Sequence, residues 1–413
     1  MKVLYVCPFA HYSGHHPHVS VVEPKYLQRA GVDVTLLTFN GIMNNPEIGV
    51  PQIKVKNDGY GALAIRMRSR TLPRWVMMFC ETVATLRYAI NLYRKDNYDV
   101  IHLRDGEPFI FLSHLLSIPY NNINWFVSLT SAIIFTPKLK LNDWLNRPFV
   151  CLYSLALNIV VNCSLWNILY RKSMKKNKHI YTPQNTVATR AYRKYLGGIF
   201  NGNVECIELG IGNSIKLPSK KESRERLGVP QKGFVLLSFG APNAGKDMTT
   251  MFKAVSETGD FLLHGGTHTF SLGSNPEELA KQYNMEDRTQ IDNYYIPEEE
   301  KPYYFGAADA IILSYTKAFA STSSMMWEAA RYQLPVISSN ANSLGGDVKY
   351  YGLGLLFEAE NSGSLVGKIN EYKKLPKEKI AEFKNNCKKF VKEHSDEKWA
   401  EKCIKVYERL INE

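Results

Sequence analysis

Residues 308–338 constrain the fold more than any other stretch of this chain, because they place a helix between two buried strands. Residues 310–315 and 334–337 are short apolar runs, which are typical of parallel strands covered on both faces. The hydroxyl residues 322–324 offer N-caps for the helix that follows, which carries good helix formers and no glycine. This order predicts a strand, a serine-rich turn, a helix and a second strand.

The turn before this helix has the composition of an anion site. Ser323, Ser324 and Met325 open the helix, where free backbone N–H groups and the helix dipole favour a phosphate. Glu328 lies four residues after Ser324, and therefore on the same face. Because a carboxylate repels phosphate, Glu328 suits the neutral hydroxyls of a ribose or a sugar. The alternative is that Glu328 is a solvated helix residue.

The length of 413 residues predicts two domains of about 200 residues each. We place an N-terminal domain at residues 1–205, a C-terminal domain at 206–394 and a closing amphipathic helix at 395–413. The first 205 residues carry 24 lysines and arginines against 11 aspartates and glutamates, so they account for the whole net charge of +12. Such a half suggests an anionic membrane surface or nucleic acid as a partner, and the alternative is an ordinary solvated surface.

A cluster of arginines in the first half favours the membrane. These side chains alternate with methionine and leucine and precede a tryptophan, as on surfaces that rest on anionic headgroups. They are Arg66, Arg68, Arg70 and Arg74. Nucleic acid is the competing interpretation, and we do not favour it because the basic half contains no recognisable reading module.

Residues 148–170 contain no charged side chain, which raises the question of a membrane span. Five serine and asparagine residues interrupt the run, and polar side chains are costly in lipid. We therefore expect a buried or interfacial helix. The seven cysteines form no CxxC pair, and the chain opens directly into an apolar strand without a signal peptide. Both observations predict a cytoplasmic protein, with possible peripheral attachment to the inner membrane face.

The first domain opens with a predicted βαβ unit, formed by strands at 2–7 and 33–38 and a helix at 19–29. Gly14, in the loop after the first strand, lets the backbone approach a ligand, because ligands bind at this edge of a parallel sheet. The histidines of this loop are weak candidates for metal ligands. A later strand at 98–103 is followed by Asp105, which can orient a substrate or cap a helix.

The second domain has its own candidate phosphate loop, between a strand at 234–239 and a helix at 247–255. Gly240 opens the loop, Asn243 lies within it and Lys246 closes it. Backbone amides and one lysine make a diphosphate cradle, although the Gly-Lys-Ser/Thr sequence of a P-loop is absent. We also predict a strand at 204–209 and, at the polar residues 216–232, the linker between the domains.

Residues 314–337 resemble the donor-site signature of the large retaining glycosyltransferase family that includes glycogen-synthase-like and phosphatidylinositol-mannosyltransferase-like enzymes. The matching groups are Ser323-Ser324, Glu328-Ala329 and Pro335-Val336-Ile337. Residues 237–246 are similar to the phosphate loop of that family. The resemblance covers nearly the whole chain and is firmest from residue 204 onward. It implies the α/β GT-B fold, in which two Rossmann-like doubly wound domains face each other across a cleft and the C-terminal helix crosses back to the first domain.

The resemblance also implies roles for these residues. Lys246 pairs with the donor diphosphate, the amides after Ser323 hold its distal phosphate, and Glu328 takes the ribose hydroxyls. Gly14 lies opposite, near the same phosphates, and Asp105 orients the acceptor hydroxyl.

The implied reaction moves a sugar from a nucleotide-diphosphate sugar to a glycan or lipid-linked acceptor, as in assembly of a surface polysaccharide or glycolipid. Neither a metal nor a further cofactor is required. Three positions depart from the family pattern: Ala320 stands where a second glutamate is usual, Asn243 where an arginine is usual, and Thr130 or Ser131 where a histidine is common. The alternative is therefore a degenerate relative that binds a nucleotide sugar or glycan without turnover. A dinucleotide-dependent oxidoreductase is disfavoured, because the loop after the first strand lacks a GxGxxG sequence.

Overall fold

A computed structural model describes residues 1–11, 16–42, 48–56, 74–104, 123–129, 178–184, 189, 204–242, 245–267, 274–317, 319 and 323–412. The chain divides into two compact units. The first unit comprises Met1–Gly210 together with Asp396–Glu413, and the second unit comprises Ile211–Ser395. The sequence placed these divisions after residues 205 and 394.

The first unit is built on a parallel sheet of six strands among its described residues, in the order β3-β2-β1-β4-β5-β6. Each central strand is an almost uninterrupted apolar run, as expected where helices cover both faces of a sheet. The strands are β1 (Lys2–Cys7), β2 (Asp33–Thr38), β3 (Gln52–Lys54), β4 (Val100–Leu103), β5 (Asn124–Leu129) and β6 (Lys178–Pro183).

Helices α1 (His16–Arg29) and α2 (Arg74–Lys95) follow β1 and β3 in the described chain. The closing helix α11 (Asp396–Asn412) also belongs to this unit. Its apolar side contributes Trp399 and Tyr407 to the core that β1 and β2 form. The Tyr407 hydroxyl lies 2.5 Å from Nδ1 of the buried His102 on β4. The last residues of the chain therefore complete the core of the unit that its first residues begin.

The second unit contains a second six-stranded parallel sheet, in the order β12-β11-β10-β7-β8-β9. Its strands are β7 (Val235–Phe239), β8 (Phe261–Gly265), β9 (Thr289–Asp292), β10 (Ala310–Leu313), β11 (Val336–Ser339) and β12 (Gly354–Phe357). Its helices are α3 (Lys220–Leu227), α4 (Met248–Thr258), α5 (Pro276–Gln282), α6 (Lys301–Ala307), α7 (Ser324–Arg331), α8 (Asn342–Tyr351), α9 (Ser362–Lys373) and α10 (Lys377–Glu393).

Both sheets place their strands in the same relative order, and this order locates a ligand site in each. In the first sheet, β1 and β4 are adjacent at the centre; β2 and β3 extend the sheet on the β1 side, and β5 and β6 extend it on the β4 side. In the second sheet, β7 and β10 are the adjacent central strands. In open parallel sheets, ligands bind beyond the carboxyl ends of the strands at this reversal point. The predicted α/β class with two Rossmann-like sheets is confirmed.

Two sequence predictions are wrong. Residues 204–209 form a single bridge between Tyr181 and Val204 instead of a strand. The polar stretch 216–232 contains α3 instead of a linker, and α3 packs within the second unit. Its Arg224 is buried and donates from Nη1 to the carbonyl oxygens of three loop residues, each at 3.2 Å.

Residues 148–170, for which we predicted a buried or interfacial helix, lie outside the described residues. Among the helices that the structure describes, none has the length and apolar character needed to cross a bilayer.

Trp399→Ala on α11 should destabilise the first unit strongly. Trp399 is 4% exposed, and the loss of a buried tryptophan side chain costs about 3–5 kcal/mol. This corresponds to a fall of about 10 °C in the melting temperature of a unit of this size. Calorimetry measures the change. The matched control is Ile411→Ala on the same helix, where the side chain is 38% exposed. Equal effects of the two substitutions would show that α11 does not complete this core.

Candidate anion site of the second unit

The loop after β7 is fixed to the end of β10 by backbone pairing. Lys246 and Tyr315 form an antiparallel bridge. The Thr316 N–H donates to the Gly245 carbonyl at 3.0 Å, and the Asp247 N–H donates to the Ser314 carbonyl at 2.9 Å. These contacts hold Lys246 at the reversal point of the sheet.

Gly240 and Gly266 let this loop pass close to its neighbours. Gly240 has a φ of +81°, a conformation that side chains rarely adopt. A Cβ atom on Gly266 would lie 2.7 Å from the Gly240 carbonyl carbon, so the two turns after β7 and β8 are in direct contact. Glycine at these two positions therefore permits the close approach of the two turns to each other and of the Lys246 and Met325 side chains to Gly240.

The Lys246 ammonium is enclosed by this loop. Its Nζ donates to the carbonyl oxygens of Phe239 at 2.7 Å and Gly240 at 2.8 Å. Burial lowers the pKa of Lys246 from 10.5 to about 7, because an ammonium loses its hydration in this position. Burial therefore disfavours the charged form of Lys246, and an anionic ligand beside the ammonium would favour it.

Helix α7 begins at the same place with its first amides uncapped by a side chain. Ser323 occupies the N-cap position, but its hydroxyl makes no capping hydrogen bond. The Ser323 Oγ instead lies 3.0 Å from the buried Tyr315 hydroxyl. This corrects the expectation that the Ser323 hydroxyl caps the helix. The Met326 N–H donates to the Ser323 carbonyl at 3.2 Å, and among the described residues no side chain accepts from the N–H groups of Ser324 and Met325. Ser324, the first helical residue, is exposed.

Met325 shows that α7 and Lys246 share one site. An ideal Cβ atom on Gly240 would lie 3.3 Å from the Lys246 Nζ and 3.4 Å from the Met325 Sδ. The ammonium and the first turn of α7 therefore approach the same face of the glycine. Both residues also line one small pocket, together with Ser314 and Tyr315. One ligand can contact the lysine and the helix N-terminus at once, and this combination favours a phosphate or diphosphate.

Glu328 is one turn further along α7. Its side chain is 18% exposed, and its Oε1 accepts a hydrogen bond from Arg331 Nη1 at 3.1 Å. Its Oε2 is buried and has no hydrogen-bond partner among the residues that the structure describes. The interpretation of Glu328 as a solvated residue is therefore wrong. The carboxylate presents an acceptor atom that a ligand hydroxyl can satisfy.

Several predicted site residues lie outside the part of the chain that the structure describes. They are Gly14, Arg66, Arg68, Arg70, Asp105 and Asn243. Arg74 begins α2, but its side-chain placement is not described. Arg104, which follows β4, is buried and lies 3.2 Å from Glu23 on α1. Among the described residues, no cluster of three metal-binding side chains occurs.

Sequence reasoning missed Tyr315 and Arg331. Tyr315 joins the Lys246 loop to α7 through its backbone and its hydroxyl. No local sequence pattern predicts this role, because the contact between Tyr315 and Ser323 depends on how α7 packs against the end of β10. Arg331 follows Glu328 at a spacing of three residues, which places the two side chains together on a helix. That spacing was a usable signal.

Comparison with protein families identifies this unit. Residues 219–405 match the family described as glycosyl transferases group 1. The second unit matches this family over nearly its whole length. The matched residues include Gly240, Lys246, Met325 and Glu328. No curated protein sequence gives a significant match to the chain.

Solved structures of low identity share the fold over the full length. Sucrose-phosphate synthase from Thermosynechococcus elongatus has 16% identity and a TM-score of 0.71 over 99% of this chain and 98% of that one. Anabaena HepE in complex with UDP has 14% identity and a TM-score of 0.70 over 99% and 100%. The catalytic domain of Arabidopsis thaliana starch synthase IV, bound to ADP and acarbose, has 15% identity and a TM-score of 0.65 over 100% and 99%. These similarities confirm the GT-B fold.

Anion binding by the second unit should take up a proton through Lys246 in mildly alkaline solution. With a pKa of about 7, Lys246 is mostly neutral at about pH 8 and mostly charged at about pH 6. A bound anion favours the ammonium, so pyrophosphate should bind with extra proton uptake at the higher pH and more weakly as the pH rises. Calorimetry in buffers of different ionisation enthalpy measures this uptake.

Lys246→Met separates this effect from the protonation of pyrophosphate itself. The variant should lose the extra uptake at about pH 8 and show little difference from the wild type in uptake at about pH 6. Lys253→Met is the matched control, because Lys253 is an exposed lysine on α4. The assignment fails if Lys246→Met takes up as many protons as the wild type.

Proposed function

We propose that the protein transfers a sugar from a nucleoside-diphosphate sugar to an acceptor with retention of the anomeric configuration. The observation that carries the proposal is the convergence of the Lys246 ammonium and the first turn of α7 on Gly240, within a unit that matches the glycosyl transferases group 1 family. HepE and starch synthase IV, which share the fold, were solved with UDP and ADP respectively. A nucleoside diphosphate accordingly fits the chemistry of the site.

In this proposal the leaving diphosphate is the main target of catalysis. Negative charge develops on it as the bond from the sugar to the diphosphate breaks. Lys246 and the first amides of α7 are fixed by the fold before the substrate binds, so they stabilise this charge without reorganising. Each well-placed donor of this kind contributes about 3–4 kcal/mol to lowering the barrier. The diphosphate oxygen that leaves can then accept the proton of the acceptor hydroxyl on the same face of the sugar, which gives retention without a protein nucleophile.

Glu328 and the first unit supply recognition in this scheme. The buried Oε2 of Glu328 accepts a hydrogen bond from a ribose hydroxyl. Gly14 and Asn243 are the residues proposed from the sequence resemblance to contact the phosphates, and Asp105 is the one proposed to orient the acceptor hydroxyl. The built-in ammonium and amides supply the positive charge that a metal ion provides in other transferases, so no metal or cofactor is required.

The acceptor is proposed to be a glycan or a lipid-linked glycan, held by the first unit at a cytoplasmic membrane surface. The support is the uneven charge, because the first 205 residues hold all of the net positive charge of the chain. The arginines at positions 66, 68, 70 and 74 are the proposed contacts with anionic headgroups. Assembly of a surface polysaccharide or glycolipid is the corresponding role.

A panel of nucleotide sugars should reveal hydrolysis or transfer, and nuclear magnetic resonance of the product should show the anomeric configuration of the donor retained. Lys246→Ala should lower kcat/KM by about 10²–10³-fold, because it removes charge stabilisation. Glu328→Ala should raise KM by about tenfold, because it removes a hydrogen bond to a charged group. The controls are Lys253→Ala and Glu257→Ala, which alter exposed residues on α4.

The same panel tests the alternative of a degenerate relative, which Ala320 and Asn243 favour. That protein would bind a nucleotide sugar with an affinity that depends on Lys246, but would release no free nucleoside diphosphate. Inversion of the anomer would exclude the retaining mechanism, and no binding of any nucleotide sugar would exclude both functions.

Vesicles should test the membrane surface. Binding to vesicles with anionic lipids should be strong at low ionic strength and weaken as salt is added, because the Debye length shortens. Replacing Arg66, Arg68 and Arg70 together by alanine should weaken binding by about tenfold or more, at about 1 kcal/mol for each charge.

The matched control is the triple alanine variant of Lys384, Lys388 and Lys392, which are exposed on α10 in the second unit. It removes the same charge and should leave vesicle binding nearly unchanged. A wild-type protein that stays in solution at low ionic strength rules out the lipid surface.

A further inference from the structure

Arg331 and Glu328 form a pair that is largely withdrawn from solvent. Each side chain is 18% exposed, and the two are joined at 3.1 Å. Other pairs at the same helical spacing in this unit are more open, such as Lys368 and Glu371 with side chains 35% and 45% exposed. A largely buried pair restricts the orientation of its members more than an exposed pair does, since water competes less for the hydrogen bond.

Arg331 is itself held from a second direction. Its Nε donates to the Asn213 carbonyl at 3.3 Å, and its own carbonyl accepts from the Ile215 N–H at 2.9 Å. Gly212 lies beside the guanidinium with a φ of +73°, and a Cβ atom there would approach the Arg331 Nε to 3.4 Å. The planar guanidinium is therefore held in place by contacts other than Glu328. Its fixed orientation determines which oxygen of the Glu328 carboxylate accepts its hydrogen bond.

This anchoring decides what remains for a ligand. The Glu328 Oε1 is taken by Arg331, whereas Oε2 is buried without a hydrogen-bond partner among the described residues. A buried acceptor of this kind needs a donor. Arg331 already balances the charge of Glu328, so a neutral hydroxyl is a better donor than a second cation.

We propose that Arg331 is a positioning residue that directs Glu328 Oε2 toward a ribose hydroxyl and thereby makes the site discriminate ribonucleotides from deoxyribonucleotides. The inference rests on the proposed function, because it takes the ligand to be a nucleoside diphosphate. Arg331 itself does not contact the ribose in this proposal. Its effect is confined to the orientation of Glu328.

The test compares the affinities of UDP, ADP and GDP with those of their 2′-deoxy and 3′-deoxy analogues by calorimetry. The wild type should bind at least one ribonucleotide about tenfold more tightly than one of its deoxy analogues, as expected for a hydrogen bond to a carboxylate. Arg331→Met should weaken binding of the ribonucleotide and leave binding of that deoxy analogue unchanged, so the ratio of the two affinities falls toward one. Arg331→Lys should restore part of the ratio, because the ammonium keeps the charge but cannot make both contacts.

Two further variants isolate the effect. Lys368→Met removes the cation of the exposed pair and should leave the ratio unchanged. Glu328→Gln combined with Arg331→Met should give the same ratio as Glu328→Gln alone, because Arg331 acts only through Glu328. Thermal unfolding of each variant in the absence of nucleotide separates folding defects from changes in binding.

The outcomes distinguish this inference from the function on which it rests. If the wild type discriminates and Arg331→Met keeps the same ratio, or loses affinity for both nucleotides equally, Arg331 does not position Glu328 and the proposed function stands. If the wild type binds nucleoside diphosphates without discrimination, the inference fails in the same way. If the wild type binds no nucleoside diphosphate, both the proposed function and this inference fail.

Discussion

The contact between the Lys246 ammonium and the carbonyl oxygens of Phe239 and Gly240 sets the conditions for the rest of the site. Burial lowers the pKa of this lysine to about 7, because the ammonium loses its hydration. The first turn of α7 lies against the same glycine through Met325. An anion that enters between them satisfies the ammonium and the helix N-terminus together, and the electrostatic cost of holding the lysine there is offset when the ligand is bound.

Tyr315 connects the Lys246 loop to the start of α7. Its backbone pairs with Lys246, and its hydroxyl meets Ser323 at the start of α7. The distance between the cation and the helix is therefore set by one residue at the end of β10. One turn further along α7, Arg331 ties Glu328 to the segment that includes Asn213. The parts proposed to recognise phosphate and ribose are each fixed by contacts that exist before any ligand arrives, which is the condition for preorganised catalysis.

The sequence predicted the strands well because both faces of each sheet are covered, so that a strand such as β1 is one continuous apolar run. The order of strand, serine-rich turn and helix likewise located α7 and Glu328. Polar composition misled at residues 216–232, because it does not show that Arg224 is buried against the Ala307 carbonyl at the end of α6 and the Pro230 carbonyl. The Ser323 hydroxyl was predicted to cap α7 for a similar reason. Its actual partner, Tyr315, is brought to it by tertiary packing. Local pattern fixes elements, whereas the partners of polar side chains depend on the completed fold.

The position of α11 has a consequence for biosynthesis. Trp399 and Tyr407 belong to the core of the first unit, although more than half of the chain separates them from β1. During translation, residues 211–395 are synthesised before this helix and leave the ribosome ahead of it. The second unit can therefore reach its native state while the first unit, whose strands were made earlier, still exposes the apolar surface that α11 covers. The core of the first unit is therefore complete only when α11 docks, although the strands of that core precede the whole second unit in the chain.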